Sequence, residues 1–180
     1  LAYDGSTFAD VAVDDLQLAG MPKNAQVIIM SVVEQGAHAS QRGWTGRVAA
    51  AEQSAETVCD RLQGYFPQWD IRLETRSGNP AAVILEKASA WPADLIVVGT
   101  HGRSGVARVM LGSVSLQVVR EASCSVRVAR TGVGHDAGPI RLLIGNDGSS
   151  EADAVVVSEV CRRSWAPGTE ARILAVHEVL

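Results

Sequence analysis

Runs of basic residues are missing from this chain, and so is any excess of positive charge: 16 Lys+Arg stand against 20 Asp+Glu, a formal net charge of −4. A surface that tracks a phosphate backbone clusters Lys and Arg on one face, so nucleic acid is not an expected partner. Cysteine is scarce as well. Cys59, Cys124 and Cys161 are odd in number and far apart, which signals neither a zinc site nor a disulfide framework and fits small apolar fillers in a reducing compartment. No apolar run reaches the roughly 18–20 residues that span a bilayer, and the opening Leu1-Ala2-Tyr3-Asp4 has neither a basic n-region nor a cleavage site. The expected location is therefore cytoplasmic, away from membranes. Trp44, Trp69, Trp91 and Trp165 are scattered, which suits core or interface packing better than a base-stacking platform.

What the chain does have is apolar content, 47% of 180 residues, sufficient for one good core or one core plus part of another. Apolar blocks bounded by turn residues at 27–33, 71–74, 95–98 and 126–129 are short and uniformly apolar, the pattern of buried parallel strands. Helical periodicity fills the stretches 8–18, 48–65, 80–90 and 114–121. Asn79 and Pro80 supply an N-cap and a first helical residue for the third of these. Leu1 to Tyr3 reads as the stub of a first strand that is longer in the intact protein. Alternating strands and helices imply right-handed crossovers onto an open, mostly parallel five-stranded α/β sheet with helices on both faces.

Residues 131–139 are glycine-rich and aperiodic, as a linker is, which divides the chain into a domain at 1–130 and a shorter one at 140–180. The second is expected to repeat the first. Ile144-Gly-Asn-Asp-Gly-Ser149 matches Leu1-Ala-Tyr-Asp-Gly-Ser6, and a helix-like stretch (152–161) and an apolar strand (171–177) follow. Such a strand–helix–strand piece cannot cover both faces of its own sheet. Val155, Val156 and the strand at 173–176 are accordingly expected to pack against the first domain or another subunit.

The chemistry is concentrated in Asp94-Leu-Ile-Val-Val-Gly99-Thr-His-Gly102-Arg-Ser-Gly105-Val-Ala-Arg-Val-Met-Leu-Gly112-Ser113-Val-Ser115. An apolar strand runs into glycines, and a helix begins at Ser113. Glycine lets backbone approach a ligand closely, and the unpaired amides of a helix start attract anions. The stretch therefore reads as a phosphate cradle. It is not a P-loop, because no lysine separates Gly112 from Ser113. Nor is it a dinucleotide fingerprint, because the first strand is followed by Asp4-Gly5-Ser6. If the first and fourth strands flank the point where the winding direction reverses, Asp4 faces the Gly99 loop and can accept from ribose hydroxyls or an adenine amino group. A plain turn with a helix N-cap also accounts for Asp4-Gly5-Ser6; it is compatible with that role and, taken alone, is the favoured reading.

Gly99, Gly102, Gly112 and Ser113 satisfy the pattern Gly-x2-Gly-x9-Gly-[Ser/Thr] at every spacing, between a strand and a helix. In this the chain resembles the universal stress protein family, whose ATP-binding members carry that motif. The resemblance covers residues 1–130 in element order, and the later repeat is similar to the opening of a second domain in tandem members. It implies an adenine-nucleotide alpha hydrolase-like fold that holds ATP, ADP or AMP, with Mg2+ or Mn2+ arriving with the nucleotide. By the same resemblance Asp4 contacts the nucleoside and the Val32 backbone meets adenine. The amides around Gly99, Gly102 and Gly112, with the hydroxyls of Ser113 and Ser115 and the flanking Val98 and Val114, hold the phosphates. Tyr3 stands where the family often has proline or valine, a ring that could alter the base pocket, and Ser125 replaces a usual proline.

His101 lies in the loop without a carboxylate near it in sequence to orient it, which suits positioning or hydrogen bonding better than general-base catalysis. Arg103 is open to two readings, phosphate neutralisation or a solvated loop arginine. The resemblance further implies pairing through a last strand that opens at Val126 and closes at Ala129, in a homodimer or an intramolecular pseudo-dimer. The leading expectation is a nucleotide-binding regulatory protein of stress response, at most a slow hydrolase. A slow ATPase or adenylyl-handling enzyme comes second, although Ser-Gly-Gly-x-Asp-Ser and His-x-Gly-His are missing. A nucleotide-free interaction module comes third.

Overall fold

A computed structural model describes residues 1–34, 41–101, 111–130 and 139–175. The chain divides into two compact units, the first comprising Leu1–Asp15 and Lys23–Gly132, the second Leu16–Pro22 and Val133–Leu180. The expected linker lies mostly outside the described residues.

In the first unit, α1 (Thr7–Asp15) precedes β1 (Gln26–Val33), α2 (Gln41–Tyr65), β2 (Asp70–Ser77), α3 (Pro80–Ala90), β3 (Leu95–Gly99), α4 (Ser113–Glu121) and β4 (Ser125–Ala129). The four helices and the strands expected at 27–33, 71–74, 95–98 and 126–129 form, with shifted ends, whereas the Leu1–Tyr3 stub makes a single bridge, Ala2 to Met30. The α2 helix starts well before residue 48 despite Gly43 and Gly46, and Arg47 stacks over Trp44 there at 5.6 Å. Further along, Ala51, Ala55, Val58 and Leu62 make a buried helical stripe. As expected for α3, the Asn79 side chain accepts from the Ala82 amide at 3.1 Å, with Pro80 opening the helix.

The strands form two parallel pairs, β1 with β2 (Gln26 opposite Asp70) and β3 with β4 (Leu95 opposite Ser125). The Leu1–Tyr3 stub bonds to both pairs. Ala2 N donates to Val97 O and Tyr3 N to Met30 O, each at 2.9 Å. Strand alternation sorts the helices onto faces. Ile96 and Val98 join Met30, Ala81, Ile84 and Val118 in one core cluster beneath α3 and α4. Val97 and Gly99 point the other way, where α1 packs on β3 and β4 and α2 on β1 and β2.

The second unit holds β5 (Arg141–Asn146), α5 (Ser150–Val155), a π-helical turn (Val156–Cys161) and β6 (Glu170–Ala175), with β5 and β6 parallel. Arg163 donates to Ala19 O and Ser164 N to Gly20 O, which ties the 16–22 segment to this unit. The two Asp-Gly-Ser turns share one local geometry. Ser6 N donates to Asp4 Oδ1 and Ser149 N to Asp147 Oδ1, both at 3.0 Å, across glycines at φ 76° and 84°. Each serine then caps its helix, on Ala9 N and Ala152 N. In this chain taken alone Val155, Ile173 and Leu174 are 57%, 65% and 52% exposed and Val156 is half-buried, while residue 176 lies outside the described residues. Two strands and one short helix supply too little surface to cover both faces of a parallel pair.

Candidate functional site

The site grows from the end of β3. The sheet's two-sided packing decides why residue 99 is glycine: a Cβ there would lie 2.6 Å from Phe8 O and 2.8 Å from Phe8 C, both backbone atoms of α1. Gly99 therefore lets the first turn of α1 close onto the strand. From the opposite face, Ser115 Oγ donates to Gly99 O at 2.6 Å, and Gly112 N donates to Thr100 O at 2.7 Å. Thr100 N is bonded to Ala129 O at 3.1 Å. Two helix starts, of α1 and α4, are thus fastened to one strand end from its two sides.

The first amides of both helices lie at this strand end. Ser6 Oγ caps only Ala9 N in α1, and α4 has Gly112 as N-cap, with no side-chain bond to its first turn. The opening amides of a helix have no partner within it and bear the positive end of its dipole. Asp4 follows the Leu1–Tyr3 stub, whose Ala2 N donates to Val97 O of β3. Its Oδ1 accepts from Ser6 N, and the carbonyl just before it, Tyr3 O, is held by buried Ser31 Oγ at 2.9 Å.

The structure refines several of the residue roles expected above. Ser115 is 4% exposed and its hydroxyl proton is already given to Gly99 O, so what it can still offer an anion is its amide. Val98 is core, 2% exposed, and Val114 packs against the same cluster. Val32 is half-buried in β1 opposite Arg76, and Ser113 is exposed at the start of α4. The Tyr3 ring is buried and its hydroxyl donates to Asp10 Oδ1 at 3.0 Å. Burial, and then that bond, push the Tyr3 hydroxyl up to about 12. Gly102 and Arg103 lie outside the described residues.

His101 follows Thr100 with its ring 5.1 Å from that of Phe8, tilted by 46°. Its Nδ1 is shielded from solvent and has no hydrogen-bond partner. Sequence reasoning passed over Phe8, Ser31 and Thr100. A lone serine in an apolar strand was the one visible signal, since a buried hydroxyl needs a partner. The contact of Phe8 with Gly99 and His101 spans sequence distances that carry no pattern. Among the described residues no group of three or more His, Cys, Asp or Glu could hold a metal ion, and no helix is long and apolar enough to cross a membrane.

Comparison with known proteins bears on this arrangement. The sequence profile of the Universal stress protein family matches residues 1–130. The chain belongs to the universal stress protein family. Over 140 residues it is 34% identical to a putative universal stress protein of Staphylococcus epidermidis, covering 73% of this chain and 82% of that one. Over 130 residues it is 30% identical to a universal stress protein of Methanocaldococcus jannaschii, covering 71% and 66%. The chain thus spans about two thirds to four fifths of these relatives. A solved universal stress protein from Archaeoglobus fulgidus shares the fold at 14% identity and a TM-score of 0.67, across 99% of this chain and 76% of that one. In this universal stress protein Gly99 closes β3 and Gly112 is the N-cap of α4.

Proposed function

We propose that this universal stress protein binds an adenine nucleotide, ATP or its di- or monophosphate, as a regulatory ligand in stress adaptation. One observation carries the reading: the uncapped start of α4 and the first turn of α1 are both fastened to Gly99–Thr100, beside the strand that ends in Asp4. Adjacent strands whose helices leave on opposite faces form the crevice where open α/β sheets take ligands, and helix starts there favour phosphate. In this reading Asp4 and the Val32 backbone meet the nucleoside. The backbone at Val98, Gly99, Gly102, Gly112, Ser113, Val114 and Ser115 and the Ser113 hydroxyl meet the phosphates, with His101 and Arg103 beside them. The donors are amides and hydroxyls, suited to phosphate oxygens. Mg2+ or Mn2+ accompanies the nucleotide and neutralises its charge.

The same reading takes β2, β1, the Leu1–Tyr3 stub, β3 and β4 as one five-stranded sheet. It takes residues 1–130 as the nucleotide-binding domain, 131–139 as a linker and 140–180 as part of a second domain of the same kind, in a cytoplasmic protein. The matching Asp-Gly-Ser turns support the repeat. Pairing through β4, whose only neighbour among the described strands is β3, gives a homodimer or a pseudo-dimer. Titration calorimetry with ATP, ADP and AMP tests the central claim. Measurable binding that is lost on Gly102→Leu is expected, and pure protein that takes up none of the three at millimolar ligand sinks it.

A further inference from the structure

We propose that His101 is a positioning residue for the phosphate end of the nucleotide, donating a hydrogen bond from Nε2, and that Phe8 selects this donor by shielding the other ring nitrogen. The inference rests on the nucleotide-binding reading above and says which part of the ligand the ring addresses. A neutral imidazole carries one N–H and one lone pair, and the tautomer follows from what each nitrogen meets. Nδ1 is shielded and meets no partner, while its ring packs on Phe8. Orphaned buried N–H groups are rarer in folded proteins than unsatisfied acceptors, so the proton belongs on Nε2. His101 as a whole is only half-buried, which leaves the other ring edge for a ligand.

The base of that donor is fixed. Both backbone groups of Thr100 are bonded, to Ala129 O and from Gly112 N, so the ring leaves a held strand end between Phe8 of α1 and the start of α4. Donors on both sides make that position complementary to an anionic oxygen, which gains more from them than the neutral ring nitrogens of a base do. A phosphorylated nucleotide gains from His101; a nucleoside does not.

The test measures ATP and adenosine binding by titration calorimetry on the full chain and on H101F and H101Q, together with the histidine 15N spectrum of the unaltered protein. H101F keeps the ring contact and removes the donor. It is expected to weaken ATP binding by about ten- to a hundredfold, the worth of one hydrogen bond to a charged group. Adenosine binding stays unchanged, and H101Q recovers part of the ATP affinity. The spectrum is expected to show Nε2 protonated and to shift with ATP but not with adenosine. Equal ATP affinity in H101F, equal losses for both ligands, or a proton on Nδ1 overturns the assignment while leaving nucleotide binding standing. Failure of the unaltered protein to bind either ligand overturns both. Should H101F not fold, the spectrum alone decides.

Discussion

Replacing Gly99 with alanine tests the packing on which the site is built. The added methyl would stand 2.6 Å from Phe8 O, 2.8 Å from Phe8 C and 3.2 Å from Ala9 N. Reaching ordinary contact at 3.4 Å requires a shift of about 0.8 Å. The obstructing atoms are helix backbone and cannot swing aside as a side chain does. The strand cannot retreat either, because Ser115 Oγ holds Gly99 O and Ala129 O holds Thr100 N. Overpacking of this sort costs about 1–3 kcal/mol, and with no flexible neighbour the upper half of that range is expected. In a chain of this size about 2 kcal/mol lowers the melting temperature by roughly 4–8 °C. Urea unfolding followed by circular dichroism, with the midpoint falling and the slope unchanged, is the assay. Gly112→Ala is the comparison: Gly112 has φ −62°, which any residue adopts, so only the N-cap preference for glycine over alanine is lost, about 0.5–1 kcal/mol. A G99A protein as stable as its parent would refute the close approach of α1 and, with it, the juxtaposition of the two helix starts.

Ser115→Ala removes the buried donor to Gly99 O and should cost about 1–2 kcal/mol in the same assay. The Tyr3 hydroxyl, pushed up to about 12 by burial and by the Asp10 bond, keeps its proton in the folded state where an unfolded tyrosine has lost it. Its contribution is therefore complete below about pH 10 and declines from there to about pH 12, a decline that Tyr3→Phe should flatten in pH-dependent melting. Glu74 is held below its usual range first by the hydrogen bond from Lys87. Its contribution is present above the ordinary glutamate value of 4.5 and fades as acid protonates the folded carboxylate. Glu74→Gln should cost about 0.5–1 kcal/mol at neutral pH and nothing once both forms are protonated. Leu143 and Ile173 are 72% and 65% exposed, so L143K and I173K should each change melting by less than about 0.5 kcal/mol in this chain. A larger loss would show that another surface covers β5 and β6.

The sequence by itself determined the elements and the motif. Strands and helices were legible because burial on two sides leaves uniformly apolar blocks, and an amphipathic face leaves a 3.6-residue period. The Asn79–Pro80 cap and the paired Asp-Gly-Ser turns were legible because capping is a matter of three or four consecutive residues. Only the tertiary structure decided what the individual residues do. Gly99 reads as a ligand-facing glycine in sequence, yet its missing side chain makes room for α1. Ser115 reads as a phosphate hydroxyl, yet it holds the strand end. Tyr3 bonds Asp10, Phe8 packs on the His101 ring, and Ile173 and Leu174 of β6 are exposed in this chain taken alone. Such roles depend on contacts between residues up to about ninety positions apart, set by how two layers of helices close on a twisted sheet, and no local spacing encodes them.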